Sequence, residues 1–249
     1  MSFFTVGASS YDRFMGRYSV QLGPQLADLA GVQRGQRVLD VGCGPGALMA
    51  ELVARGADVA GVDPSPPFVE AARERYPNAD IREAGAEDIP FEDNAFDAAI
   101  AQLVVQFMTD PVAGLREMAR VTHAGGAVVA CVWDAAGGET PLGPFWRAVQ
   151  RLDPDVQDES DRAGTRPGHL AELFREAGLR DVEDTVVTAR VEHDTFEEWW
   201  EPFGLGVGPA GAYLASHRER EDELRELAHA ELGDSFTLDA KAWAARGTV

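Results

Sequence analysis

The sequence predicts an α/β fold that begins with a nucleotide-binding unit. An apolar run over residues 37–41 has the composition of a buried strand, and it stops at a glycine cluster that begins with Gly42. Residues 47–55 then have the pattern of a helix, and a second apolar run, 58–63, ends in an acid. Strand, tight glycine turn, helix and acidic strand end are typical of nucleotide-binding α/β folds.

The glycine turn is the first predicted binding element. Gly42 and Gly44 allow backbone conformations closed to other residues and leave no side chain between the chain and a ligand. The helix that follows directs its unpaired N–H groups and its positive dipole end to the same place. Asp40 places a carboxylate at the tip of the buried strand. Such a carboxylate needs a partner, and the ammonium group of a ligand would be one. The predicted cofactor residues here are Asp40, Gly42, Cys43, Gly44 and Gly46.

Asp63 is the second predicted binding element. It lies 63 − 42 = 21 positions beyond Gly42, and an acid about 20 positions past such a glycine turn accepts hydrogen bonds from ribose hydroxyls. Pro64 follows it and belongs to the same predicted site. The alternative role for Asp63 is a helix cap, because Asp commonly begins helices.

The run Leu39-Asp40-Val41-Gly42-Cys43-Gly44-Pro45-Gly46 resembles motif I of the class I S-adenosylmethionine-dependent methyltransferases, in particular their ubiquinone/menaquinone-methyltransferase-like small-molecule group. The resemblance extends from about Tyr11 to Trp133. It implies S-adenosyl-L-methionine as cofactor, S-adenosyl-L-homocysteine as product, and Asp40 beside the methionine moiety. It also implies a Rossmann-like, seven-stranded, mostly parallel sheet with an antiparallel last strand, helices on both faces and a helical lid insertion.

A single domain over residues 1–249 follows from this resemblance. We expect residues 1–36 to form an N-terminal cover, residues 37–134 the cofactor-binding core, and residues 135–165 and 192–233 the substrate-side insertions. Within the core, strands are predicted at 79–84, 96–101 and 127–133, and beyond it at 182–191 and 236–242. Helices are predicted over 21–30, 167–177 and 216–232, and two more are predicted to start within 64–67 and at 110–111.

Two positions depart from the family pattern. The family often has an acid where this chain has Gly85, so the adenine is expected to depend on backbone groups around Ala86, with Glu87 as a side-chain acceptor. Many relatives carry a histidine where this chain has Gln106, and an amide cannot usefully take up a proton. Gln102, at the end of its strand, is expected to face the methionine part of the cofactor.

The acceptor side is predicted from aromatic and polar residues near the same sheet edge. Candidate substrate residues are Tyr11, Arg17 and Tyr18 in the cover, Gln106, and Trp133 at a strand end. Simple packing is the alternative for Trp133 and for the cover. Residues 196–232, which begin with an aromatic cluster, are interpreted as a lid over the acceptor pocket or, with equal weight, as an oligomer contact.

Composition restricts the partners. The chain of 249 residues has 22 basic and 42 acidic residues, a net charge of −20, which repels nucleic acids and anionic membranes. Its two cysteines form no disulfide framework or metal-ligand spacing, and no export signal or membrane span is evident. We expect a cytoplasmic monomer or homodimer without a metal.

The leading functional hypothesis is in-line transfer of the sulfonium methyl group of S-adenosylmethionine to a small, apolar or aromatic molecule. No catalytic residue is identified from the sequence. One alternative is an S-adenosylmethionine-binding protein without turnover. Another is an NAD-dependent oxidoreductase, since Gly42, Gly44 and Ala47 also fit the dinucleotide-binding pattern, although Asp40 would then lie near a pyrophosphate.

Overall fold

The structure is a computed structural model that describes residues 7–249. Over these residues the chain forms one seven-stranded sheet in the order β3-β2-β1-β4-β5-β7-β6. The strands are β1 (Arg37–Val41), β2 (Asp58–Asp63), β3 (Asp80–Glu83), β4 (Phe96–Gln102), β5 (Thr122–Trp133), β6 (Arg180–His193) and β7 (Phe236–Thr248). Only β7 runs antiparallel to its neighbours, β5 and β6. The predicted fold class is therefore confirmed.

The helices of the described chain connect these strands. They are α1 (Ala8–Tyr11), α2 (Arg17–Leu29), α3 (Ala47–Ala54), α4 (Pro66–Arg75), α5 (Pro111–Val121), α6 (Gly143–Leu152), α7 (His169–Glu176), α8 (Phe196–Trp200), α9 (Gly208–Ser216) and α10 (Glu221–Leu232). A π-helical turn, Asp12–Gly16, joins α1 to α2.

The central strands are buried on both faces, as expected for parallel strands covered by helices. One apolar layer includes Leu22 of α2 and Leu52 of α3, and the other includes Leu115 of α5 and Phe174 of α7. Because the crossover connections bury both faces, the free edge available to a ligand is the carboxyl end of the strands.

Several element boundaries differ from the predictions. The N-terminal helical segment begins at Ala8 rather than at residue 21, and residues 1–6 of the predicted cover lie outside the described residues. Strand β5 begins at Thr122 rather than at residue 127, and Gly125 adopts a positive φ of 83° within it. The predicted helix over 216–232 is interrupted near His217, whose ring nitrogen Nδ1 lies 2.9 Å from the carbonyl oxygen of Tyr213.

The segment after β6 packs as an integral part of the domain. Trp199, Trp200 and Phe203 are buried, and the ring of Phe203 stacks on that of Phe145 in α6 at a centroid distance of 4.6 Å. Helix α10 packs against α6 as well, so the two insertions form one continuous wall. Over residues 7–249, no helix is both long enough and apolar enough to cross a membrane.

Candidate active site

The glycine turn after β1 lies at the carboxyl edge of the sheet. Gly42 adopts a φ of 69°, and the backbone N–H groups of Gly42 and Cys43 both donate to the carbonyl oxygen of Val62, at 2.7 and 2.9 Å. This pair of bonds ties the turn to the end of β2. The end of the first strand and the end of the second are thereby held together.

Glycine is required in this turn for two reasons. A side chain at Gly42 would have to adopt a left-handed backbone conformation and would collide with Val104. A side chain at Gly46, which has a φ of 98°, would collide with the ring of Tyr76. At Gly44 a side chain would meet no atom of the described chain, so there the missing side chain leaves open space.

Asp63 holds the turn from the opposite side. Its carboxylate accepts hydrogen bonds from the backbone N–H groups of Gly44 at 2.9 Å and Ser65 at 2.8 Å. Only 6% of the residue is exposed, and burial raises the pKa of Asp63 to about 6 although both hydrogen bonds oppose the rise. Because α4 begins at Pro66 with Ser65 in the capping position, Asp63 is not the helix cap.

Asp40 is a buried carboxylate with one unsatisfied oxygen. It is 1% exposed, and its Oδ2 atom has no hydrogen-bond partner among residues 7–249. Burial, with a smaller contribution from the nearby charge of Asp63, raises the pKa of Asp40 well above its usual range. A cationic group placed beside this oxygen would relieve both the missing hydrogen bond and the desolvation of the charge.

A cavity of about 270 Å³ lies over the glycine turn. Its lining includes seven of the ten predicted cofactor residues: Gly42, Gly44, Asp63, Pro64, Ala86, Glu87 and Gln102. The other three do not line it. Cys43 and Gly46 pack within the turn, Cys43 against Gly61 and Gly46 against Tyr76, and Asp40 is the buried residue before the last residue of β1.

Glu87 lies next to the position of the side chain that Gly85 lacks. Its Oε2 atom lies 3.2 Å from the position that a Cβ atom of Gly85 would take. Its other oxygen accepts hydrogen bonds from the backbone N–H groups of Thr109 at 2.7 Å and Asp110 at 3.3 Å. The cavity therefore has a carboxylate at this end despite the departure from the family pattern.

Gln102 joins the cover to the core. Its Nε2 atom donates a hydrogen bond of 3.0 Å to the carbonyl oxygen of Ser19 in α2. Its Oε1 atom is buried and has no partner within the described part of the chain. Gln102 therefore offers the cavity a hydrogen-bond acceptor in a fixed orientation.

A second cavity, of about 360 Å³, adjoins the first. Tyr11, Leu103 and Phe107 line both cavities, so these three residues lie at the junction. The remaining walls come from the π-helical turn, the end of β5, the 135–165 insertion and the start of α9. Most of the lining is apolar, and its charged members, Arg147, Asp158 and Glu159, all belong to the insertion.

The predicted acceptor residues divide into two groups. Tyr11, Gln106 and Trp133 line the second cavity. Arg17 and Tyr18 lie outside both cavities and contact His193, whose Nδ1 and Nε2 atoms are 3.1 Å from Arg17 Nη1 and 2.7 Å from the Tyr18 hydroxyl. Since arginine can only donate, Nδ1 accepts, and the neutral ring then donates from Nε2 to Tyr18.

Sequence reasoning missed Glu159 and Leu103. Glu159 lies in a stretch rich in Gly, Pro and Asp that carries no periodic signal, and its Oε2 atom accepts a hydrogen bond from Trp146 Nε1 at 3.2 Å. Burial raises the pKa of Glu159. Leu103 adopts a positive φ of 63°, which nothing in an apolar side chain predicts.

The comparisons with known proteins agree with this geometry. Residues 39–130 match the family described as Methyltransferase domain. The demethylmenaquinone methyltransferase of Beutenbergia cavernae is 32% identical over 173 residues, which cover 62% of this chain and 70% of that protein. The chain belongs to the class I S-adenosylmethionine-dependent methyltransferases. This membership argues against the oxidoreductase alternative.

Further relatives of the methyltransferase extend the comparison. The malonyl-[acyl-carrier protein] O-methyltransferase of Serratia marcescens is 32% identical over 148 residues, 57% of this chain. The match spans only 58% of that protein's length. A solved SAM-dependent methyltransferase from Thermotoga maritima is 20% identical, with a TM-score of 0.58 over 96% of this chain and 95% of that one, and it shares the fold.

Proposed function

We propose that the protein binds S-adenosylmethionine in the 270 Å³ cavity and transfers its methyl group to a small, apolar or aromatic acceptor in the 360 Å³ cavity. The observation that carries this proposal is the junction of the two cavities at Tyr11, Leu103 and Phe107. A methyl donor and an acceptor that meet there would be held in reach of each other.

The residues around the first cavity fit the cofactor. The unsatisfied oxygen of Asp40 suits the amino group of the methionine moiety, and the open space at Gly44 allows close approach to the backbone. Asp63 keeps lone pairs for the ribose hydroxyls beyond its two backbone hydrogen bonds. Ala86 and Glu87 would meet the adenine.

The chain itself has a modest chemical task in this reaction. When bound, the cofactor supplies a methyl group that is already activated by a positively charged sulfur atom. The apolar walls of the second cavity exclude water and align the acceptor with the junction. Gln106 cannot take up a proton, whereas the Glu159 carboxylate in the same cavity, with its raised pKa, can hold one released by the acceptor.

The lining of the second cavity supports the acceptor class. Phe14, Leu103, Trp133 and Trp146 are among its apolar members, and rings bury well against such surfaces. The net charge of −20 disfavours a nucleic acid acceptor. One relative is named as a demethylmenaquinone methyltransferase, which is consistent with a ring compound as acceptor.

Calorimetric titration with S-adenosylmethionine, S-adenosylhomocysteine and NADH tests the cofactor assignment. We expect micromolar binding of the two sulfur compounds and none of NADH. Failure of both sulfur compounds to bind would refute the proposal. If they bind and a screen of aromatic acceptors with labelled cofactor yields no methylated product, the protein is instead an S-adenosylmethionine-binding protein without turnover.

A further inference from the structure

The second cavity contains two buried polar groups without partners. The Oε1 atom of Gln106 and the Nε1 atom of Trp133 each lack a hydrogen-bond partner among residues 7–249, and each residue is only 8% exposed. A buried acceptor or donor left without a hydrogen bond is unfavourable. Two such groups in the wall of one cavity indicate that a ligand completes them.

The Gln106 amide is held in one orientation. Its Nε2 atom donates a hydrogen bond of 3.0 Å to the carbonyl oxygen of Leu103, so the amide oxygen is the end left unpaired. Leu103 adopts its positive φ at this point, a conformation that is unfavourable for residues other than glycine. Strain of this kind is typical of functional sites, and here it accompanies the bond that fixes the amide.

The Trp133 backbone is also anchored. It lies at the end of β5 and pairs with Ala242 of β7, and the following residue, Asp134, donates from its N–H to the carbonyl oxygen of Lys241 at 2.9 Å. The wall of the cavity therefore contains one hydrogen-bond acceptor and one donor, both uncharged and both without a partner among the described residues.

The charged groups of the same cavity already have partners. Arg147 donates to Glu231 at 2.6 Å, and Asp158 accepts from Gln150 at 2.7 Å. Glu159 accepts from Trp146. Among the described residues that line this cavity, the buried side-chain atoms without a hydrogen-bond partner are thus the neutral pair, Gln106 Oε1 and Trp133 Nε1.

We propose that the methyl acceptor is a neutral ring compound that donates one hydrogen bond to Gln106 Oε1 and accepts one from Trp133 Nε1. This inference rests on the proposed function, because it assigns the second cavity to the acceptor. A hydroxyl and a carbonyl group on one ring system meet the requirement. A hydrocarbon of the same shape leaves both protein groups unpaired and is disfavoured for that reason.

A matched series of bicyclic probes tests the inference. The series contains two hydroxytetralone isomers that differ in the spacing of hydroxyl and ketone, tetralone with the ketone alone, tetrahydronaphthol with the hydroxyl alone, and tetralin with neither. Affinities are measured by calorimetry with the protein saturated with S-adenosylhomocysteine. We expect one hydroxytetralone to bind most tightly and tetralin most weakly.

Two substitutions assign the contacts. The preference for a group is the ratio of affinities between a probe with that group and the same probe without it. Gln106→Leu is expected to reduce the hydroxyl preference about tenfold and to leave the ketone preference unchanged. Trp133→Phe is expected to reduce the ketone preference about tenfold and to leave the hydroxyl preference unchanged. The matched controls are Gln25→Leu and Trp199→Phe, which change a glutamine and a tryptophan that line neither cavity and whose side chains already have hydrogen-bond partners; both preferences are expected to persist.

Equal binding of all probes, or the same loss with every probe in both variants, would overturn the inference. Binding of S-adenosylhomocysteine is measured first in each variant. If the unmodified protein does not bind S-adenosylhomocysteine, the proposed function is refuted. If the protein binds S-adenosylhomocysteine but binds all the probes equally, only the assignment of Gln106 and Trp133 is refuted.

Discussion

Asp63 combines two tasks in one carboxylate, since it ties the glycine turn to β2 and faces the first cavity. Asp63→Ala is expected to weaken S-adenosylmethionine binding by more than tenfold, about 1.4 kcal/mol, because the ribose loses its acceptor. Calorimetry gives the affinity directly. Asp58→Ala, at the exposed start of the same strand, is the control. An unchanged affinity for Asp63→Ala would mean that the ribose is held elsewhere.

His193 makes the stability of the protein depend on pH. Its ring is 2% exposed, and burial together with the nearby Arg17 guanidinium lowers the pKa of His193 to about 4, which the charge of Glu198 only partly opposes. Between pH 6.5 and 4 the unfolded chain therefore binds more protons at this residue than the folded chain does. The contribution of His193 to the free energy of unfolding falls through this window as the pH falls, by up to about 3 kcal/mol.

Denaturant unfolding at a series of pH values measures this contribution. Asp63, whose pKa is raised to about 6, acts in the opposite direction, so the relevant quantity is the difference between the unmodified protein and His193→Gln. We expect the stability advantage of the unmodified protein to shrink as the pH falls from 6.5 to 4. A difference that does not vary with pH would contradict the assignment of a neutral, buried ring.

The glycine turn is the element on which the site depends. Gly42→Ala is expected to lower the free energy of unfolding by at least about 2 kcal/mol, since it adds a left-handed alanine and a collision with Val104. Gly44→Ala is the matched control, because its φ of 52° carries the backbone cost but its side chain would meet open space. Chemical denaturation compares the two.

A second substitution separates collision from backbone strain. Val104→Ala in the Gly42→Ala background is expected to recover the part of the loss due to the collision and to leave the backbone part. Equal stabilities of Gly42→Ala and Gly44→Ala would show that the turn relaxes around Val104 and that the close approach is unimportant.

The strands of the sheet were predictable because their apolar runs are bounded by turn residues. The alternation over residues 236–242 identified β7, which the structure extends to Thr248. The wall of the second cavity was harder to predict. Glu159 and the pairing of Arg17 and Tyr18 with His193 depend on contacts between distant parts of the chain, and neither hydrophobic period nor residue type encodes them.

Across the whole molecule, the cover connects the two cavities to the rest of the domain. Tyr11 lines both cavities and contacts the ring of Phe68 edge-on, at a centroid distance of 5.3 Å. Asp12 forms an ion pair with Arg75 of α4, and Phe14 contacts Phe203 of the second insertion. Since Tyr11 lines the first cavity and the same segment packs against α4, we expect a ligand in that cavity to stabilise residues 8–16 when it binds.

Hydrogen exchange and thermal unfolding measure this coupling. S-adenosylhomocysteine at a hundred times its Kd is expected to stabilise the fold by about 2.7 kcal/mol, which raises Tm by roughly 5–10 °C. Backbone amides of residues 8–16 are expected to gain protection beyond this global change, because local opening of the cover then requires loss of the ligand contacts at Tyr11. Helix α10, which lines neither cavity, serves as the internal control. A rise in Tm with no added protection over residues 8–16 would mean that the cofactor enters and leaves without moving the cover.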